Sequence, residues 1–251
     1  MDYLTIDQAR EADGLRLVLT AGVPGPWSES AKQVFAYKRI AFLPVAQQLF
    51  GENAELRDWV GVRNAPVAVY PGESPKTGWR EILALAEQLA PQPALLPADA
   101  EGRADALALS DAICGRDGFG WNRRLTLFVA SGVGGADASD LHRSYGLEAE
   151  AAARAPARTA AILRQLAERL HRQYAAGRRA FVGDGITACD LYWACFSLMV
   201  RPVRRDWAEI PDFVHDLYAR LPPEIADALD DLLIEHRDHV FETYVRLPLD
   251  F

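Results

Sequence analysis

Cysteine, lysine and long apolar runs are all scarce in this chain of 251 residues. Cysteine occurs at 114, 189 and 195 only, and no two cysteines form a C-x-x-C pair. Cys189 and Cys195 stand six residues apart on one predicted helix, on different faces. A disulfide scaffold is thereby excluded, and small buried side chains in a reducing compartment are expected instead. Lysine occurs only at 32, 38 and 76, so the 27 basic residues are nearly all arginine, against 35 acidic ones. A net charge of −8 argues against nucleic-acid binding, which needs clustered basic side chains. Leu125–Ala130 and Leu191–Val200, among the longest apolar stretches, fall well short of the roughly 20 residues of a membrane helix. The start, Met1-Asp-Tyr-Leu-Thr-Ile-Asp7, carries acid where a secretory signal carries base. A cytoplasmic protein with no membrane partner is expected. Half the residues are hydrophobic, enough to build a core and to exclude disorder.

The patterning changes once along the chain. Leu15–Thr20 is short, apolar and followed by Ala-Gly-Val-Pro-Gly-Pro, so it reads as a buried strand and a turn. Trp27–Lys38 reads as a helix with Ser28 as its N-cap and Ala31, Val34, Phe35 and Lys38 on its inner stripe. Ala41–Ala46 predicts a second strand, which Pro44 confines to an edge. Asn53–Val60 predicts a short helix, and Asn64–Tyr70 a strand entered through Ala65-Pro66. Pro71–Lys76 leaves room for a rudimentary fourth strand only, and Gly78–Ala90 predicts a helix. The Pro-rich stretch Pro91–Pro97 reads as a linker. Beyond it everything reads as helix: Ala104–Cys114, Ala157–Ala175, Thr187–Val200 as the buried central element, and Ile225–Tyr244. Ser131–Ser139, rich in glycine, reads as a mobile loop. The expected architecture is an α/β domain over 1–91 and an all-α domain over 98–251.

Three stretches in this order resemble the cytosolic glutathione S-transferase superfamily over nearly the whole chain. Gly25-Pro-Trp-Ser-Glu-Ser-Ala-Lys32 follows the first strand, where that family places a reactive Ser, Tyr or Cys. Asn64-Ala-Pro-Val67 resembles its x-V-P-V segment, and Phe181-Val-Gly-Asp-Gly-Ile-Thr-Ala-Cys-Asp190 loosely matches its F-x-x-G-D-x-x-[ST]-x-x-D motif. Thr187 and Asp190 have the spacing of a capping box, so that motif is expected to start a helix and not to touch substrate. The resemblance implies a thioredoxin-like glutathione-binding domain, a helical domain shaping the electrophile site, and a homodimer.

It also implies roles for single residues. Gly25 stands where the omega-like C-P-[FY]-x pattern has its cysteine, which argues against thiol-transferase redox chemistry. Ser28 is then the first catalytic candidate, its hydroxyl stabilising the glutathione thiolate near a helix N-terminus, and Ser30 is the second. The alternative reading of Ser28 as a helix cap stands beside this one. Trp27, Ala65 and Pro66 would line the glutathione site, Ala65 through its backbone. Glu81 with Ile82 matches the acidic-Ser pair that holds the γ-glutamyl end, with Ile in place of Ser; Glu73-Ser74 comes too early before the helix. Phe119 and Trp121 are candidates for the electrophile pocket. His236 and His239 have metal-ligand spacing but no third ligand, so no metal is expected and the pair reads as a solvated helix face. The expected activity is glutathione thiolate attack on a small hydrophobic electrophile. A non-catalytic binding or scaffolding protein of the same fold, and a glutathione-dependent lyase or isomerase, are the alternatives.

Overall fold

The computed structural model describes residues 1–131 and 149–251. The Gly-rich segment expected to be a loop lies, apart from Ser131, outside the described residues. The chain divides into two units. The first comprises Met1–Leu95 with Arg204–Ile210 and Phe241–Phe251, and the second comprises Leu96–Val203 with Pro211–Val240. The first segment of the first unit ends at Leu95, within the Pro-rich stretch, and two later segments group with it.

The first unit is built on a three-stranded mixed sheet of order β2-β1-β3, with β1 Arg16–Thr20, β2 Leu43–Gln47 and β3 Val67–Val69. β1 runs parallel to β2 and antiparallel to β3. Pro44 lies on the edge strand β2, as expected, and its carbonyl accepts the Leu4 amide at 2.9 Å. The rudimentary fourth strand is a single antiparallel bridge between Ala68 and Lys76. Val18, Val45, Val67 and Val69 form one apolar face of the sheet, joined by Ala9 of helix α1 (Ile6–Glu11) and by Leu56 and Val60 of α3 (Ala54–Val60). The sequence reading passed over α1, although Thr5 and Gln8 make a capping box. Strand alternation turns Leu17 and Leu19 to the opposite face, where α2 (Pro26–Tyr37) and α4 (Trp79–Leu89) pack together. Lys38 ends α2 buried, its ammonium 2.5 Å from Glu87 of α4 and 2.8 Å from the Pro93 carbonyl. Leu95 is buried and its amide binds Glu87 at 3.0 Å, so the Pro-rich stretch is anchored and not a loose tether.

The second unit is helical: α5 Ala100–Cys114, α6 Phe119–Ser131, α7 Ala149–Ala175, α8 Ala188–Phe196, α9 Asp212–Ala219, α10 Pro223–Ala226 and α11 Asp231–Tyr244, whose last residues join the first unit. Every residue of α8 is buried, as a helix apolar nearly all round requires. Leu163, Leu166 and Leu170 bury one stripe of α7, while the arginines at 154, 158, 164, 172, 178 and 179 are exposed. The single helix expected over 225–244 is broken, because the Asp230 carboxylate accepts the Leu232 amide at 2.8 Å and starts a new one. All three cysteines are buried and none is in a disulfide. Among the described residues, no helix is long and apolar enough to cross a membrane.

Candidate functional site

The corner between β1 and α2 holds Trp27, Ser28 and Ser30 of the residues that the sequence singles out. After Thr20 the chain turns through Gly22, which needs the left-handed region at φ 76. Helix α2 then begins at Pro26 with Gly25 as N-cap, and no side chain caps its first turn. The positive end of its dipole is therefore not quenched by a capping oxygen. Ser28 is not the N-cap. It sits three residues further in, because Pro26 with its preset φ is favoured at the first helical position. The Ser28 hydroxyl is buried and turned toward β1. It accepts the Thr20 amide at 3.0 Å and donates to Thr20 Oγ1 at 3.2 Å, which in turn donates to Gln47 Oε1 at 3.1 Å. Ser30 is also buried, its hydroxyl bonded to the Trp27 carbonyl at 3.0 Å. Trp27 is half-buried.

The Ala65–Pro66 peptide is cis and leads into β3. Val18 pairs with Val67, the last pair of this ladder, and Ala65 packs against the apolar cluster that holds both. Ala65 is half-exposed and Pro66 buried. Glu81 lies in the first turn of α4, and its Oε2 accepts the amides of Thr77 at 3.2 Å and Gly78 at 3.0 Å, capping its own helix from an exposed position. Ile82 belongs to the core at 1% exposure, and its amide is bonded to the Gly78 carbonyl. That excludes it as a ligand contact, since neither its side chain nor its amide faces outward. Glu73 is engaged with Lys76 at 3.1 Å.

In the second unit the two pocket candidates separate. Phe119 is fully buried edge-on against Trp193, ring centroids 5.3 Å apart, and is core. Trp121 is half-buried, with the Arg124 guanidinium 5.8 Å from its ring centroid. Asp190 does what its motif predicts: Oδ2 accepts the Thr187 amide at 2.8 Å and hydroxyl at 2.7 Å. Its Oδ1 takes the Phe181 amide and His236 Nε2, each at 2.8 Å. His236 is thus fully buried between Asp190 and Tyr174, whose hydroxyl lies 3.3 Å from Nδ1, and the expected solvated face is overturned. The signal for it was the apolar spacing of α11, which puts 233, 236, 237 and 240 on one stripe.

Sequence reasoning also missed Arg123. Its guanidinium is buried and, among the described residues, pairs with no carboxylate, donating to the carbonyls of Met199, Tyr218 and Arg220 and to Thr126 Oγ1. Burial pulls it down to about 10, still charged at neutral pH. Among the described residues, no group of three His, Cys, Asp or Glu side chains could hold a metal. A shallow groove of about 290 Å³ runs between Arg164, Glu168 and His171 of α7 and the 227–230 turn, bridged by the His171–Asp230 pair at 2.9 Å.

No family model and no curated protein matches the chain. Solved structures do. A glutathione S-transferase from Methylobacterium radiotolerans, in complex with glutathione sulfonate, is 24% identical over 86% of this chain and 94% of that one, TM-score 0.56. One from Methylobacillus flagellatus with GSH bound is 14% identical over 92% and 96%, TM-score 0.64. The monomeric Na-GST-3 of the hookworm Necator americanus is 16% identical over 92% and 93%, TM-score 0.60. At such identities the likeness is one of fold.

Proposed function

We propose that this chain, which has the glutathione S-transferase fold, binds glutathione at the β1–α2 corner and directs its thiolate at a small apolar electrophile. One observation carries the reading: the first turn of α2 lacks a side-chain cap where Gly25 passes beside Thr20 at the end of β1. A helix N-terminus without a capping oxygen favours an anion, and a glutathione sulfur there would be held as thiolate, the nucleophilic form. Ala65 would exchange backbone hydrogen bonds with the cysteinyl part, beside Pro66. Trp27 would wall the site, and the exposed carboxylate of Glu81 would meet the γ-glutamyl ammonium. Trp121 remains the candidate for the electrophile side. Ser28 acts on the sulfur by redirecting its proton from Thr20 Oγ1, or else supports the corner while the helix amides do the work.

Calorimetry with glutathione tests the reading: heat of binding at millimolar concentration is expected, and its absence overturns it. Ser28→Ala separates the two roles of the hydroxyl. A bound-thiol pKa raised by about one unit assigns it to the sulfur, and an unchanged pKa assigns the sulfur to the amides. A non-catalytic binding protein is the second reading, favoured by Ile82 in the core and by the prior engagement of the Ser28 and Glu81 oxygens. It predicts no turnover with generic electrophiles. The proposed homodimer is checked by light scattering.

A further inference from the structure

Glu29 and Lys32 lie one turn apart on α2, and both are buried. The Lys32 ammonium is 2.8 Å from Glu29 Oε1. Its other contacts come from the far end of the sequence: the Asp250 carbonyl at 2.5 Å, Asp250 Oδ1 at 3.4 Å, and the ring of Phe251 at 5.5 Å. The segment 247–251 has one further anchor. Leu249 is buried, pairs with Ala208 in a parallel bridge, and donates its amide to the Trp207 carbonyl at 2.7 Å.

One atom in this cluster is out of balance. Among the described residues, Glu29 Oε2 is buried with no hydrogen-bond partner within bonding geometry, so the ionised form of this carboxyl carries a poorly compensated acceptor. Burial accordingly pushes Glu29 up to about 6, Lys32 opposes the rise, Asp250 adds to it, and the neighbouring Gln33 side chain works against it. The other groups facing the pair are Tyr3, held neutral by a pKa pushed up to about 12 by burial and then by Glu29 and Asp250, and the amino group of Met1, 3.9 Å from Asp250 Oδ2.

We propose that residues 247–251 form a strap latched onto α2 through Lys32, and that protonation of Glu29 tightens the latch. With Glu29 ionised, one ammonium is shared between two carboxylates and the pair Glu29–Asp250 repels. With Glu29 neutral, Lys32 serves Asp250 alone and the unpartnered oxygen becomes a hydroxyl. The coupling is reciprocal: if the docked Asp250 raises the proton affinity of Glu29, a proton on Glu29 raises the affinity of the strap by the same factor. Lifting the strap would bare a buried ion pair on α2, so the device sets access to that face according to pH. It does not depend on glutathione binding.

Hydrogen exchange at the Leu249 amide, corrected for the intrinsic rate, reads the latch without substrate. Protection about fivefold higher at pH 5 than at pH 8 is expected in the unaltered chain, the low end of common coupling strengths. In Glu29→Gln the protection is expected to stay high at both values. Protection that does not depend on pH, or a pH dependence that survives in Glu29→Gln, overturns the proposal. Asp250→Asn tests the same latch from the exposed side, where folding is not at stake: lower protection and a lost pH dependence are expected, and an unchanged profile overturns it.

Discussion

Single residues decide two of the stability predictions. Asp190 satisfies four donors at once, from Phe181, Thr187 twice and His236. Asp190→Ala strands buried polar groups at each, and a loss of about 3 kcal/mol or more is expected by urea denaturation. Arg123 gathers three carbonyls and a hydroxyl with one planar fork. Arg123→Lys keeps the charge but not the geometry, so it is expected to cost about 2 kcal/mol in the same measurement. The two sites differ in how far the sequence exposes them. The bonds of Asp190 to Thr187 follow from spacing alone, three residues apart at a helix start. Those of Arg123 to its three carbonyls and of His236 to Asp190 join residues 46 to 97 positions apart, and no local pattern encodes a partner that distant. Ser28 is the intermediate case. Its place at the corner was legible, but its direction was not, because Pro26 moved the helix start back and turned the hydroxyl toward Thr20.

Among the elements, the strands and the amphipathic helices α2, α4 and α7 announce themselves through periodicity, and Pro44 fixes β2 as an edge. Helices α1, α6 and α9 do not. They are short or carry glycine and aromatic residues whose burial depends on neighbours, as in Phe119 against Trp193. The α5–α6 turn shows what such a junction demands. A Cβ at Gly118 would lie 2.9 Å from the backbone oxygens of Asp111, Ala112 and Gly115, none of which can yield as a side chain would. Gly118→Ala is therefore expected to destabilise the second unit by about 1–3 kcal/mol, seen as a lower melting temperature. At Gly72, by contrast, the space is open but φ is 78, so the cost of alanine there is conformational and smaller, about 1 kcal/mol.

For the whole molecule, pH dependence carries one traceable contribution. Glu29 is raised from an ordinary 4.5 to about 6, by burial above all. Between those values the folded chain binds more protons than the unfolded one, so this group lowers stability as pH rises through the window, by about 2 kcal/mol in total. The difference in unfolding free energy between the unaltered chain and Glu29→Gln is expected to change by that amount between pH 4.5 and pH 7. A difference that stays flat counts against it. The order of the units and the α/β-to-helix switch were readable at this scale, because composition changes once along the chain. The return of 204–210 and 241–251 to the first unit was not, since the Leu249–Trp207 bond joins residues too far apart for any local pattern to encode. The three cysteines set how the second unit reacts with thiol reagents. All three belong to the second unit, are buried, and in Cys189 the thiol is pushed well above its usual range by burial and then by Asp190. A thiol-directed reagent must wait for α5 or α8 to open, so its rate of incorporation is a stopwatch for the opening of that unit alone, one that runs without any added label.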